Sequence, residues 1–283
     1  MQIIRVFPRR TKLTPTDAFA FVGDPPLIDR PDADEVHVSV PFTWDITEGE
    51  RLAAAWGCYY KMVRIGGPAF NSKPNGFVPG MYIKSGVTFT TRGCNNNCPW
   101  CLVPAREGRL SEIVDFCSGY IIQDNNLLQA NRCHVRRVFD MLNAQRKAAV
   151  FSGGLQSSLV SDWFAESLRG IRVESVFLAA DTEPALKPLE RAIKRLSFLG
   201  RRGIRVYAMI AYRGESLSDA EERLEAIWEL GAMPFAQLYQ PADRFIHYGA
   251  DWKRLARKWS RPAAMVSSHD SPAIRLDVQG ALL

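Results

Sequence analysis

From Val87 onward the chain alternates short apolar runs with helical patterns, and nothing else in the sequence constrains its fold as much. The runs are VTFTT (Val87–Thr91), GYIIQD (Gly119–Asp124), AAVFSG (Ala148–Gly153), ESVFLAAD (Glu174–Asp181), IRVYAMIAY (Ile204–Tyr212) and PFAQLY (Pro234–Tyr239). Most are continuous rather than alternating, as expected of parallel strands buried on both faces. Between them, Pro184 opens a helix that places Leu186, Leu189, Ile193 and Leu196 on one face. Ser218 and Glu221 read as the capping box of another, running through Leu224, Ile227 and Leu230 to Gly231. Six strand–helix repeats predict right-handed crossovers and a parallel sheet, either a curled partial barrel or a doubly wound fold.

The first third is different. Pro8, Pro15, Pro25, Pro26 and Pro31 break it into turns and extended segments. A strand (EVHVSVPF), a helix (EGERLAAAW) and a second strand (YKMVRIGG) then form one βαβ unit, closed by Gly66, Gly67 and Pro68. A Gly/Pro-rich linker, Asn71–Gly80, follows. The expected organisation is a small N-terminal lobe over 1–84, a vestigial Rossmann-like βαβ; the strand–helix region over 85–241; and a basic C-terminal segment over 242–283.

The chain has 283 residues, 47% of them hydrophobic and 23% charged, which excludes a disordered chain. No apolar run approaches the roughly 18–20 residues of a membrane helix. Arg9 and Arg10 interrupt the N-terminus before a signal-peptide core could form, so no membrane partner and a cytoplasmic location are expected. An excess of six basic over acidic residues gives a mild bias toward anionic partners. Most of that excess lies in Ala242–Pro262, where Arg244, Lys253, Arg254, Arg257, Lys258 and Arg261 face only Asp243 and Asp251. Trp252, Leu255, Ala256 and Trp259 recur there at helical spacing, predicting a helix with one buried and one basic face. That face reads either as solvated surface or as a contact for the phosphates of DNA, RNA or a nucleotide.

Six cysteines could suggest disulfides, but three of them stand within eight residues and the chain can bury its own core. The first strand runs directly into GCNNNCPWC, giving Cys94, Cys98 and Cys101 in C-x3-C-x2-C spacing. Three thiolates can hold three irons of a 4Fe-4S cubane and leave the fourth open. A structural zinc site wants four protein ligands, and Cys117, Cys133 and His134 add no second C-x2-C pair. Cys58, Cys117 and Cys133 read as buried small hydrophobes. The four histidines are scattered; His247 and Tyr248 lie just beyond the sixth strand, near its expected open end.

With its C-x3-C-x2-C loop after the first strand and Trp100 before the last cysteine, the sequence resembles the radical S-adenosylmethionine (SAM) superfamily. TTRGC (Thr90–Cys94), the C-x-V-P…EG stretch (Cys101–Gly108), the strand end Asp124–Asn126 and VRIGGP (Val63–Pro68) are similar to the branch whose relatives carry a cobalamin-binding domain. The resemblance implies an α/β fold: a partial (β/α)6 TIM-type barrel beside the small N-terminal βαβ lobe. It implies a 4Fe-4S cluster on Cys94, Cys98 and Cys101, SAM on its open iron, and a reductant such as flavodoxin or ferredoxin. Trp100 would lie beside the adenine. Asp124, Asn125 and Asn126 would accept from the SAM ammonium, or form an ordinary Asx turn. Ser152, Gly153 and Gly154 would let a ligand approach the backbone, or simply turn strand into helix. Asp181 would meet ribose or substrate, or cap the next helix. Glu215 matches the acid of the family's fifth-strand motif, although Ala208 and Ala211 or Tyr212 stand where glycines are expected.

The implied activity is reductive cleavage of SAM to a 5′-deoxyadenosyl radical that takes hydrogen from a substrate. A nucleobase, nucleotide or nucleic acid is the favoured substrate. The competing readings are a small-metabolite substrate and a nucleic-acid-binding protein with a structural iron–sulfur or zinc centre.

Overall fold

The computed structural model describes residues 1–70 and 81–270, with only the backbone of Asp270. The expected linker Asn71–Gly80 therefore lies outside the described residues, as does the chain beyond Asp270.

The N-terminal part forms a four-stranded parallel sheet in the order β2-β1-β3-β4. Its strands are β1 (Ile3–Phe7), β2 (Ala20–Val22), β3 (Glu35–Ser39) and β4 (Val63–Gly66), with α1 (Ile46–Gly57) between the last two. The expected βαβ unit is β3-α1-β4. The proline-rich stretch before it is more ordered than its composition predicts, because β1 and β2 extend the sheet on the far side of β3. The prolines occupy the connections, where a missing amide costs no ladder bond. Ile4, Val6, Val36, Val38, Leu52 and Trp56 form a core separate from that of the rest of the chain.

The larger part is built on a six-stranded, wholly parallel sheet. Strand β5 (Val87–Thr88) is followed by a small antiparallel pair, β6 (Thr91–Arg92) and β7 (Ser111–Glu112), with α2 (Val103–Glu107) between them. Then come β8 (Ile121–Ile122), α3 (Arg132–Asn143), β9 (Ala149–Leu155), α4 (Asp162–Arg169) and β10 (Val173–Ala179). The chain continues through α5 (Leu186–Arg195), α6 (Gly200–Gly203), β11 (Ile204–Ile210), α7 (Leu217–Glu229) and β12 (Met233–Leu238). The last elements among the described residues are α8 (Ala250–Lys258) and α9 (Pro262–Asp270). The sheet order is β5-β8-β9-β10-β11-β12, which follows the chain without reversal. The protein is thus a mixed α/β chain with mostly parallel sheets.

One face of this sheet and the helices share a single core, with Phe151, Val176, Leu178, Val206, Ala208 and Ile210 meeting Val138, Phe164, Leu189, Ile193, Leu224 and Ile227. The opposite face departs from the expectation of strands buried on both sides. In β11 buried residues alternate with half-buried Arg205, Tyr207 and Met209. The continuous apolar runs arise because aromatic rings line this second face: Phe177, Tyr207 and Phe235 lie within 4.9–6.2 Å of one another.

The helix faces follow the sequence, with one boundary corrected. Ser216 and Asp219, not Ser218 and Glu221, form the capping box of α7. The helix starts a half-turn earlier because Ser216 accepts from the Asp219 amide, while Ser218, inside the helix, bonds to Glu222. In α8, Leu255 and Trp259 are buried in the main core with Met265 of α9, while Lys253, Arg254 and Arg257 face solvent. No helix among the described residues is long and apolar enough to cross a membrane.

Candidate functional site

Strand ends in a parallel sheet all point one way, so the segments that follow them gather at one edge. The cysteine loop leaves β6 there, and polar bonds from β8, β9 and α2 fix it. Asp124, just after β8, is 2% exposed and accepts hydrogen bonds from the amides of Thr90 (2.6 Å) and Thr91 (3.0 Å) and from the Thr90 hydroxyl. Burial pushes its carboxyl above the ordinary aspartate value, with the threonine bonds opposing. Its oxygens are committed to the segment that delivers Gly93 and Cys94.

Glu107, at the end of α2, has the same role from the other side. One oxygen accepts from the Gly93 amide at 2.9 Å and from Asn125 Nδ2 at 2.7 Å; the other accepts from Arg92 at 2.7 Å. Asn126, 3% exposed, donates to Gln156 Oε1 at 3.1 Å. Gln156 Oε1 also accepts from Asn96 (3.0 Å) and Gln129 (3.2 Å), and Gln129 accepts from the Asn95 amide at 2.7 Å. An amide network therefore ties the middle of the loop to the ends of β8 and β9. Gln129 and Gln156 were not singled out in the sequence, since an isolated glutamine carries no pattern. Glu107 stands inside the C-x-V-P…EG stretch (Cys101–Gly108), where a lone acid gives no sign of the bonds it makes.

The three thiols lie on this fixed loop. Burial pushes Cys98 and Cys101 above the ordinary thiol value, and both also feel Cys94 and Asp181. Among the described residues no three Cys, His, Asp or Glu side chains are drawn closely enough together to hold a metal ion as they stand. In kind and number the loop's thiols match a centre taking three protein sulfurs better than a four-ligand zinc site. Cys58, Cys117 and Cys133 are exposed, against the expectation that they fill the core. Cys58 follows the end of α1, Cys133 lies in the first turn of α3 and Cys117 in the connection between β7 and β8.

Trp100 turns from the loop toward β11, its ring 5.4 Å from Tyr212, which in turn meets Tyr239 at 4.9 Å. With Asp181, Glu183, Met209, Tyr212, Glu215 and Arg223 it walls a cavity of about 510 Å³. Burial pushes Asp181's carboxyl up, opposed by the Met209 amide (2.8 Å), by Arg223 and by Trp100. Arg223, 7% exposed, donates to the carbonyls of Ala180 (3.2 Å) and Met209 (2.8 Å) and pairs with Glu215. Glu215 Oε2 accepts from the Ala211 amide at 2.8 Å. Ala211 has φ +64°, the left-handed backbone that glycine takes without cost, so the conformation is present although the glycine is not.

Ser152, Gly153 and Gly154 face the protein more than a ligand. Ser152 donates to Gln123 at 2.8 Å, and its carbonyl accepts from Tyr207 Oη at 2.8 Å. A Cβ on Gly153 would stand 1.8 Å from the Asp124 carbonyl oxygen, so the glycine permits close approach of β9 to the neighbouring chain. Gly154, at φ +100°, forms part of an irregularity at which β9 slips register against β10. The structure thus places Trp100 of the cysteine loop with Asp181 and Glu215 on one cavity wall, with Asp124, Asn125 and Asn126 as supports of the loop. No protein-family model matches the chain, and no curated protein matches it.

Proposed function

We propose that this chain is a radical SAM enzyme, holding a 4Fe-4S cluster on Cys94, Cys98 and Cys101 and binding SAM beside Trp100 and Asp181. The observation that carries this reading is one juxtaposition. A C-x3-C-x2-C loop leaves β6, just beyond the first strand of a parallel sheet ordered as the chain runs, and its Trp100 walls a cavity with Asp181 and Glu215. We read that sheet as a partial (β/α)6 barrel, because unreversed strand order with helices sharing one core favours a curl over a doubly wound sheet.

When bound, such a cluster supplies the electron that cleaves SAM's carbon–sulfur bond, giving methionine and a 5′-deoxyadenosyl radical that takes hydrogen from carbon. The protein's part is orientation and exclusion of water. Asp124 and Glu107 hold the start of the cysteine loop, and the Asn96–Gln129–Gln156–Asn126 amides hold its middle. Trp100 offers a flat apolar wall, and Asp181 a carboxylate for a ribose hydroxyl or an ammonium. Glu215, fixed by Arg223, keeps the turn after β11 in the shape that opens the cavity.

A groove of about 560 Å³ lined by Lys253, Arg254, Arg257, Lys258 and Arg261 supports a nucleobase, nucleotide or nucleic acid as substrate. The same groove would serve a nucleic-acid-binding protein with a structural centre. Anaerobic reconstitution with iron and sulfide, then reduction with SAM present, separates the two. The enzyme releases 5′-deoxyadenosine; a structural centre binds iron and leaves SAM intact.

A further inference from the structure

A row of aromatic rings crosses from the N-terminal sheet to the segment after β12. Trp44, in the turn Thr43–Asp45 beyond β3, stacks on Phe42 with centroids 4.9 Å apart and planes at 6°. Its ring meets Phe245 at 5.6 Å, and Phe245 meets His247 at 5.0 Å. Trp44 is 37% and Phe245 47% exposed, and neither belongs to either hydrophobic core. The turn is anchored from below by Asp45, 3% exposed and paired with Arg9. Trp44 on its anchored turn and Phe245 on its loop together leave contiguous ring surface open to a stacking partner.

The surroundings say what. Arg244 beside Phe245 is exposed, and α8 begins five residues on, a reach of at most about 18 Å. Along α8 and the start of α9, Lys253, Arg257 and Arg261 line the basic groove without an ion-pair partner among the described residues, whereas Lys258 turns to Glu221 at 2.7 Å. The helix hides its apolar side in the core, so it lacks the exposed apolar stripe of a membrane-surface helix. A duplex would satisfy the cations and leave the rings idle, since its bases are already stacked. Unpaired bases use both.

We infer that Trp44 and Phe245 form a stacking surface for the bases of a single-stranded nucleic acid whose phosphates continue into the Lys253–Arg257–Arg261 groove. This deepens the nucleic-acid reading of the substrate and rests on it, but its test does not use the cluster. Fluorescence anisotropy of the full chain with labelled oligothymidylate is the measurement, with the matching duplex, inorganic polyphosphate and phosphatidylserine vesicles as comparisons. Oligothymidylate should bind in preference to all three. Phe245→Ala and Trp44→Ala should each weaken it about tenfold, and Trp44→Phe should restore most of that, because every base offers a face to a ring. Neutralising Lys253, Arg257 and Arg261 to Gln should flatten the log–log salt slope by about 2. Phe245 lies on an exposed loop, so its variant stands alone if Trp44→Ala unfolds by circular dichroism. No oligothymidylate binding, equal competition by polyphosphate, tighter binding of duplex or vesicles, or wild-type affinity in Phe245→Ala would each overturn the inference. SAM cleavage by the reconstituted enzyme would be unaffected by that failure, which keeps the two readings apart.

Discussion

Glu107 and Asn125 meet at 2.7 Å, and the same carboxylate oxygen accepts the Gly93 amide at 2.9 Å, so one side chain joins the start of the cysteine loop to the end of β8. Glu107→Ala removes the acceptor for both, and for Arg92. With charge-assisted bonds worth about 1.5–3 kcal/mol, the variant should lose about 2 kcal/mol by urea unfolding. It should also retain less iron after reconstitution with all three thiols present. Glu107→Gln keeps one oxygen and should fall between. Wild-type iron retention in Glu107→Ala would mean that the amide network alone holds the loop.

Gly153 and Gly154 are adjacent yet should respond to alanine differently. At Gly153 the new carbon would sit 1.8 Å from the Asp124 carbonyl oxygen and 2.7 Å from its nitrogen, both backbone atoms that cannot swing aside. Strands β8 and β9 would have to part, costing at least the roughly 1–3 kcal/mol of overpacking and loosening Asp124's hold on Thr90. At Gly154 there is room, with the nearest atom at 3.9 Å, and only its φ of +100° resists. Denaturation midpoints should rank wild type, Gly154→Ala, Gly153→Ala in falling order.

How far the sequence could be read follows from where its signals act. The six strands were legible because continuous apolar runs have few other uses, and the cysteine loop because three thiols in eight residues are rare by chance. Strands β1 and β2 were not, because their prolines dominate a local reading while their pairing with β3 is long-range. The supporting role of Asp124 was hidden for a related reason. An acid after a strand looks like a ligand until the chain folds Thr90 and Thr91 onto it. Glu107, Gln129 and Gln156 act through hydrogen bonds between segments 14 to 60 residues apart, which leave no periodic trace.

Ala211 adopts φ +64° on a non-glycine backbone, with its amide held by Glu215. The left-handed region costs an L-residue about 1–2 kcal/mol. Ala211→Gly removes that strain and adds back some unfolded-chain entropy. A net gain of about 0.5–1 kcal/mol in thermal or urea unfolding is expected, and Ala211→Val should lose more than that. A destabilised glycine variant would show that the turn is strain-free.

Tyr207 is half-buried against Phe177 and Phe235, and burial pushes its phenol from 10.0 up to about 12. Its hydroxyl donates to the Ser152 carbonyl at 2.8 Å, a bond the phenolate cannot make. A folded-state value above the unfolded one means a contribution present in full below about pH 10 and lost as pH rises toward 12. Tyr207→Phe should be less stable than wild type by about 1 kcal/mol at neutral pH. Above pH 10 the wild type should lose its lead, so the two urea curves converge or cross. A constant gap from pH 8 to 12 would place the phenol in water.

The cysteines divide into two sets by position, and iron should follow that division. Cys94, Cys98 and Cys101 share one fixed loop, and Cys98 and Cys101 are partly withdrawn from water beside Asp181. Cys58, Cys117 and Cys133 are exposed on other elements. Cys94→Ala, Cys98→Ala and Cys101→Ala should each abolish both the cluster's absorption and 5′-deoxyadenosine release, since three sulfurs leave no spare ligand. Alanine at Cys58, Cys117 or Cys133 should leave iron content and SAM cleavage at wild-type levels. Iron lost from any of these three would point to an auxiliary centre. Normal iron and turnover in a loop variant would remove the cluster assignment, and with it the radical SAM reading.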